Sequence, residues 1–175
     1  GVIPEGWEKP ENKSKLAQKD IDADWTKKNG ERHFGYKDHV KCDADSKLIT
    51  NYSVTSASVH DSQRCLVFIG QEDEVLYADS AYSGKPIALA LPENCKNQIC
   101  EKGYRNSPLT SEQKMNNRRK SRIRCRIEHI FGFMTGAMHG ITIRSIGITR
   151  AWMNIGITNL VYNFCRYSYL KRASA

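Results

Sequence analysis

Apolar residues in the first half of the chain come in short runs that polar turns separate. Residues 1–22 show no apolar periodicity, so we expect them to form a linker or loop. An Asn-Gly pair, which is a strong hairpin signal, joins Asp24–Lys28 to Glu31–Cys42. A second polar turn leads into Leu48–Thr55, which is rich in β-branched and aromatic residues. The pattern therefore predicts an antiparallel meander of three strands.

The middle of the chain predicts shorter elements. Residues 61–70 and 84–92 each fit a short helix, the first with Asp61 as its N-cap. Val75–Ala78 is an apolar run of strand length, and residues 97–101 fit one more strand. Strands interleaved with helices indicate an α/β or α+β fold, with a mixed sheet and flanking helices.

The C-terminal third has the three- and four-residue apolar spacing of amphipathic helices. One helix is predicted from Met115 to Met138, with a break near Gly140. A second is predicted from Thr149 to Leu170. Its large apolar residues are expected to pack in the core, namely Trp152, Ile155, Leu160, Phe164 and Tyr167.

The positive charge is concentrated in one segment. The chain has 175 residues and a net charge of +8. Residues 102–126 contain nine basic residues and one acidic residue, so this segment carries the whole excess. Such a segment is typical of proteins that bind a polyanion, because each neutralised phosphate releases counterions. A solvated basic helix face is the simpler alternative.

Other features narrow the class of protein. No apolar stretch approaches the roughly 20 residues of a membrane span, and no signal segment opens the chain. The six cysteines include no CxxC pair, so we expect buried free thiols rather than a zinc site or a disulfide framework. We expect a cytoplasmic protein without membrane partners.

Two carboxylates are candidate metal ligands. Asp79 follows an apolar strand, at the end where open α/β sheets bind ligands. Glu128 interrupts an apolar helical stretch, one turn after Arg124. Hard oxygen ligands beside a polyanion site suit Mg²⁺ or Mn²⁺. A turn-forming Asp79 and an ordinary ion pair between Arg124 and Glu128 are the alternatives.

Four segments carry a resemblance to a known family, and in chain order they are Phe34–Lys37, Val54–Asp61, Tyr77–Gly84 and Arg122–Gly132. Together they resemble bacterial insertion-sequence transposases of the DDE type, in the group of insertion sequences four and five. The likeness covers nearly all of residues 25–170. It implies a ribonuclease H-like catalytic domain over residues 23–172, with two divalent ions that serve DNA cleavage and strand transfer.

The resemblance also implies roles for individual residues. Asp79 and Glu128 match two of the three metal-binding carboxylates, which must then lie within roughly 4–8 Å of each other. Basic residues near Glu128 are expected to hold phosphates of double-stranded DNA, at the transposon ends and the target. These are Arg118, Arg119, Lys120, Arg122, Arg124 and Arg126. Ser121 and Thr135 depart from the family's helix signature, so its auxiliary phosphate contacts are not expected here.

The first carboxylate of the family has no counterpart, since it would precede the segment that matches Phe34–Lys37. None of the nearby aspartates ends an apolar first strand, namely Asp20, Asp22, Asp24, Asp38 and Asp43. We therefore expect a truncated domain without its first strand, inactive alone. An inactive remnant that still binds DNA and a ribonuclease H-like nuclease without strand transfer stay open as alternatives. A homodimer on DNA is compatible with each, and the resemblance implies association with the bacterial nucleoid when the protein is bound to DNA.

Overall fold

The computed structural model describes residues 1–28, 30–140 and 142–174, and it is an α+β structure. These residues form two compact units. Unit 1 comprises Gly1–Val40, Tyr52–Val59 and Met134–Ala175, and unit 2 comprises Lys41–Asn51 and His60–Phe133. No helix in these ranges is both long and apolar enough to cross a lipid bilayer.

Three strands form the predicted antiparallel meander. They are β1 (Asp24–Lys28), β2 (Glu31–Cys42) and β3 (Ile49–Ser56), in the sheet order β1-β2-β3. This prediction is confirmed. Asn29, the first residue of the predicted hairpin turn, lies outside the described residues. His39 of β2 and Thr55 of β3 are both buried, and their side chains are hydrogen-bonded at 2.8 Å.

The segment predicted as a linker contains a short 3-10 helix at Pro10–Asn12 and the helix α1 (Lys13–Ala17). Its end is tied to the rest of unit 1. Asp20 accepts hydrogen bonds from the Tyr36 hydroxyl at 2.7 Å and from the backbone of Gly147 at 3.2 Å. Burial favours the protonated acid, but these bonds keep the pKa of Asp20 below its ordinary value.

Unit 2 contains a parallel pair of short strands, β4 (Val75–Leu76) and β5 (Lys96–Asn97). The ladder continues beyond them, because the Cys100 N–H donates to the Ala78 carbonyl at 3.0 Å. The sequence predicts one mixed sheet, whereas the described strands form two hydrogen-bonded sheets. The helices α2 (Ser62–Phe68) and α3 (Lys85–Ala90) flank the short pair, and a small core of Cys65, Ile87 and Ile99 lies here.

The helix predicted from Met115 to Met138 is two helices, α4 (Ser111–Arg124) and α5 (Arg126–Gly136). A capping box of Thr110 and Gln113 fixes the start of α4. The break falls at Cys125, where the apolar spacing continues and therefore gives no signal. The predicted break near Gly140 is present, and Gly140 has a φ of +78°.

The last helix, α6 (Ile148–Ala173), lies close to its predicted bounds. Its buried residues are Ala151, Ile155, Asn159 and Tyr162, which recur at helical spacing along one stripe. The core prediction is right for Ile155. It is wrong for the residues that lie off this stripe and are exposed, namely Trp152, Leu160, Phe164 and Tyr167.

Candidate active site

Asp79 is held in place by its own backbone neighbourhood. It follows the last hydrogen-bonded residue of the β4 segment and caps a short 3-10 helix, Ser80–Tyr82. Its Oδ1 accepts hydrogen bonds from the Ser80 backbone at 2.5 Å and the Ser80 hydroxyl at 3.2 Å. The side chain is still 56% exposed, so Oδ2 can meet a charged partner.

Glu128 and Asp79 meet on one guanidinium. Arg124 is the last residue of α4, and Glu128 lies in the first turn of α5. Arg124 Nη2 is 2.6 Å from Glu128 Oε1, and Arg124 Nη1 is 3.9 Å from Asp79 Oδ2. A guanidinium is small and planar, so these two carboxylate oxygens are at most about 9 Å apart. The break at Cys125 places Arg124 and Glu128 on successive helices.

This bridge is weak enough to be displaced. The side chains of Asp79 and Glu128 are 56% and 60% exposed, and that of Arg124 is 26% exposed. Ion pairs in such surroundings contribute about 0–1 kcal/mol, because water screens the charges and holding long side chains costs entropy. The negative Glu128 is also favoured by the positive N-terminal end of α5. A dication or a phosphate can therefore compete with these contacts.

Tyr82 and His129 are close in sequence to Asp79 and Glu128, and the surroundings of each limit the chemistry that it can perform. Burial and, to a smaller extent, the nearby Asp61, Cys65 and Asp79 together raise the pKa of Tyr82 to about 12. Tyr82 therefore keeps its proton and cannot serve as a base near neutral pH. His129 Nδ1 lies 2.9 Å from Lys47 Nζ, so this ring nitrogen is engaged within unit 2.

Two of the basic residues predicted to bind DNA are used to anchor the helices. Lys120 Nζ donates to the Ile99 carbonyl at 3.0 Å and lies 3.7 Å from Glu101. Arg126 donates to the Ala44 carbonyl and pairs with Asp45 at 3.1 Å. Neither charge is fully available to a phosphate in this arrangement.

Three other arginines of α4 share an outward face. Arg118, Arg119 and Arg122 are all exposed, and their three- and four-residue spacing places them on adjacent turns. Within the described residues none of them takes part in an ion pair. We refer to these three residues as the α4 arginine face. Its free charge lies on the same helix that ends at Arg124.

Comparison with known proteins identifies the family of the chain. Residues 6–164 match the family model of the transposase DDE domain. The chain belongs to this family. The predicted resemblance to bacterial insertion-sequence transposases is thereby confirmed, while the narrower group of insertion sequences four and five stays a prediction.

One curated relative shows how much of a transposase this domain covers. The transposase for insertion sequence element IS1106 of Neisseria meningitidis serogroup B is 33% identical to the transposase domain over 117 residues. The match covers 65% of this chain and 40% of that protein, so the chain spans about two-fifths of its relative's length. No solved structure matches the chain.

The described residues offer only part of a donor set for a divalent ion. DDE transposase domains generally use divalent metal ions. Asp79 and Glu128 offer hard oxygen ligands, but in residues 1–28, 30–140 and 142–174 no group of three or more His, Cys, Asp or Glu could hold a metal ion. The described donor set therefore fits such an ion only in part.

Five aspartates are not expected to supply the third ligand, and each of them accepts a hydrogen bond within its own unit. The bonds join Asp20 to Tyr36, Asp22 to Ile148, Asp24 to Trp25, Asp38 to Asn159 and Asp43 to Ser46. Each carboxylate is thus engaged in at least one local or tertiary hydrogen bond. The metal-binding role of Asp79 and Glu128, and the DNA contacts of the basic residues, stay predictions.

Proposed function

We propose that this chain is the C-terminal part of the ribonuclease H-like catalytic domain of a DNA transposase. The full protein would hydrolyse a phosphodiester at each transposon end and then use the freed 3′ hydroxyl to attack double-stranded target DNA. Membership of the transposase DDE domain family supports this proposal. The main structural observation in favour of this active site is that Asp79 and Glu128 both contact Arg124.

Residues of unit 2 have separate roles in this function. Asp79 and Glu128 hold Mg²⁺ or Mn²⁺ together with a third carboxylate from outside this chain. The bound ions supply positive charge at the reacting phosphodiester. Arg124 keeps the two carboxylates together and, once released from them, can take up a phosphate. The α4 arginine face holds phosphates of the duplex with little reading of base sequence.

The test replaces each carboxylate by its amide in the full-length protein. Asp79→Asn and Glu128→Gln should each abolish strand transfer, because the amide lacks the charge that holds a dication. Binding of transposon-end duplex should stay within about two-fold of the unchanged protein, since phosphate contacts lie on other residues. Glu93→Gln is the matched control, because Glu93 is an exposed acid of unit 2. Normal joining by either amide variant would refute its metal role.

A second candidate function is DNA binding without catalysis. It is favoured by the two converging carboxylates, where the family's chemistry uses three. A remnant of this kind would bind transposon-end duplex but neither cut nor join it in the full-length protein. A ribonuclease H-like nuclease would cut the duplex and never join it. A single assay of cleavage and joining products therefore separates the three activities.

A further inference from the structure

The hairpin of β1 and β2 in unit 1 has one face with an unusual composition. Trp25 lies opposite Phe34, and Lys27 lies opposite Arg32. Alternate residues of a strand, and residues paired across an antiparallel ladder, share a face. These four side chains therefore form one surface, which we refer to as the hairpin face. Its two aromatic rings are tilted against each other, with centroids 5.2 Å apart.

The hairpin face is exposed and carries only positive charge. Trp25 is 59% and Phe34 is 49% exposed, and Lys27 and Arg32 are also exposed. The same register places both acidic residues of the paired segments 24–28 and 31–35, Asp24 and Glu31, on the opposite face. Lys27 and Arg32 form no ion pair within the described part of the chain.

The charged half of the hairpin face works against the stability of the hairpin, although the contact between the two rings favours it. Like charges directly opposite one another in a ladder repel, so the Lys27–Arg32 pair destabilises the strand pairing. Exposed aromatic rings also leave apolar area in water that burial would remove. A single exposed aromatic residue would need no explanation. Two adjacent exposed rings beside two unneutralised cations fit a partner that is both aromatic and anionic.

A DNA strand with accessible bases has this chemistry. Every base has a π-face that can stack on Trp or Phe, and every nucleotide carries a negative phosphate. Lys27 and Arg32 lie two residues from the rings, about 7 Å along each strand, so both contacts fall within the reach of neighbouring nucleotides. The bases inside a duplex are covered by their neighbours, and the hairpin face therefore suits an unpaired or frayed strand.

We propose that the hairpin face binds unpaired DNA, by stacking a base on Trp25 and Phe34 and by holding the adjacent phosphates with Lys27 and Arg32. This contact goes beyond the proposed function, because it lies in unit 1 and is independent of Asp79 and Glu128. The hairpin face would provide a binding site for unpaired strand ends, in addition to the duplex contacts of the α4 arginine face.

The test measures binding of the full-length protein to a labelled single-stranded oligonucleotide and to a blunt duplex, by fluorescence anisotropy. The Trp25→Thr, Phe34→Thr double variant keeps good strand formers in β1 and β2. It should raise the Kd for the single strand by about ten-fold or more, and leave the Kd for the blunt duplex within about two-fold. Quenching of tryptophan fluorescence by the single strand should shrink in the same variant.

The charge contribution is tested separately with Lys27→Gln, Arg32→Gln. This variant should weaken single-strand binding and lower its salt dependence by about one to two ions. Lys28→Gln is the matched control, because Lys28 is an exposed lysine on the opposite face of the same hairpin. Circular dichroism of each variant shows that the fold is kept.

Four results would overturn the proposal. One is single-strand binding that is unchanged in both double variants, and another is an equal loss in Lys28→Gln. A third is an equal loss of blunt-duplex binding, which would make the face a general duplex contact. The fourth is loss of self-association with DNA binding intact, which would make it a contact between copies of the protein. Binding is measured without catalysis, so the Asp79→Asn, Glu128→Gln variant should bind the single strand normally whatever becomes of the transposase proposal.

Discussion

Asp38 shows how a single buried carboxylate can tune the stability of unit 1. Its Oδ1 accepts a hydrogen bond from Asn159 Nδ2 at 3.3 Å. Asp38 Oδ2 and Asn159 Oδ1 are both buried, and neither has a hydrogen-bond partner among the described residues. Burial raises the pKa of Asp38 to about 6, against a smaller opposing effect of the Asn159 bond. A proton on Oδ2 would turn one orphaned acceptor into a donor.

The first prediction concerns the pH dependence of this residue. Folding raises the pKa of Asp38 from 3.8 to about 6. The contribution of Asp38 to the free energy of unfolding is therefore largest below pH 4, and it falls between about pH 4 and pH 6. The loss amounts to at most about 3 kcal/mol. Asp38→Asn carries a donor at every pH, so it should remove this fall and raise the free energy of unfolding at pH 7.

Urea titrations at pH 4, 5, 6 and 7 measure the effect, with Glu72→Gln as an exposed acidic control. The control should keep the fall in the free energy of unfolding between pH 4 and pH 6. If Asp38→Asn and Glu72→Gln show the same pH profile, the assigned cause is wrong.

The sequence predicted part of the candidate site at this scale. Helical spacing placed Arg124 and Glu128 one turn apart, and their side chains are in contact at 2.6 Å. The contact of Arg124 with Asp79 joins segments distant in sequence, so no local spacing can show it. The engagement of Lys120 with Ile99 is of the same kind. Composition identifies the basic residues, but only tertiary packing decides which of them are free.

At the scale of the element, one side of α4 contacts residues 99–101 and the other side is exposed to solvent. Glu101 and Asn117 exchange two hydrogen bonds, of 2.8 and 2.9 Å, between backbone and side-chain amide. Lys120 adds its bond to Ile99, so the residues after β5 hold this side of the helix. The α4 arginine face lies around the helix from these contacts. These contacts hold α4 in place and leave its three arginines on the exposed side.

The prediction for α4 is that the triple variant Arg118→Gln, Arg119→Gln, Arg122→Gln weakens binding of specific and random duplex by similar factors. Phosphate contacts carry no base information, so the loss should not depend on sequence. The salt dependence of binding should fall by about two to three ions. Lys120→Gln serves as the comparison. It should lower the Tm, because Lys120 anchors the helix, and it should weaken DNA binding less than the triple variant does. An unchanged salt dependence in the triple variant would assign these arginines to a solvated helix face.

Element positions were predictable where the local signal was strong. The Asn-Gly turn and the β-rich segments on either side gave the meander, and apolar spacing gave α6 within a few residues. The break at Cys125 was not predictable, because Ile123 and Ile127 keep the apolar spacing across it. The prediction of which α6 residues are buried was also wrong in part. An apolar stripe shows which residues can be buried, whereas the neighbouring elements decide which of them are.

At the scale of the whole molecule, two features lead to a prediction about residues 1–175 on their own. The chain spans about two-fifths of its curated relative's length. A second feature is the exposed apolar surface of α6, formed by Trp152, Met153, Ile157, Leu160, Val161, Phe164, Tyr167 and Tyr169. Extended apolar surface of this kind favours association in water. Both features bear on how residues 1–175 should behave alone.

The last prediction is that residues 1–175, expressed alone, show no metal-dependent cleavage or joining of DNA and have poor solubility. Asp79 and Glu128 supply too few negative ligands to hold two dications close together. The exposed surface of α6 and the outer strands β1 and β3 offer sites for aggregation. The full-length protein should recover both activity and solubility, as measured by strand-transfer products and by light scattering. Strong Mg²⁺-dependent strand transfer by residues 1–175 would instead show that one of Asp20, Asp22, Asp24, Asp38 and Asp43 serves as the third ligand.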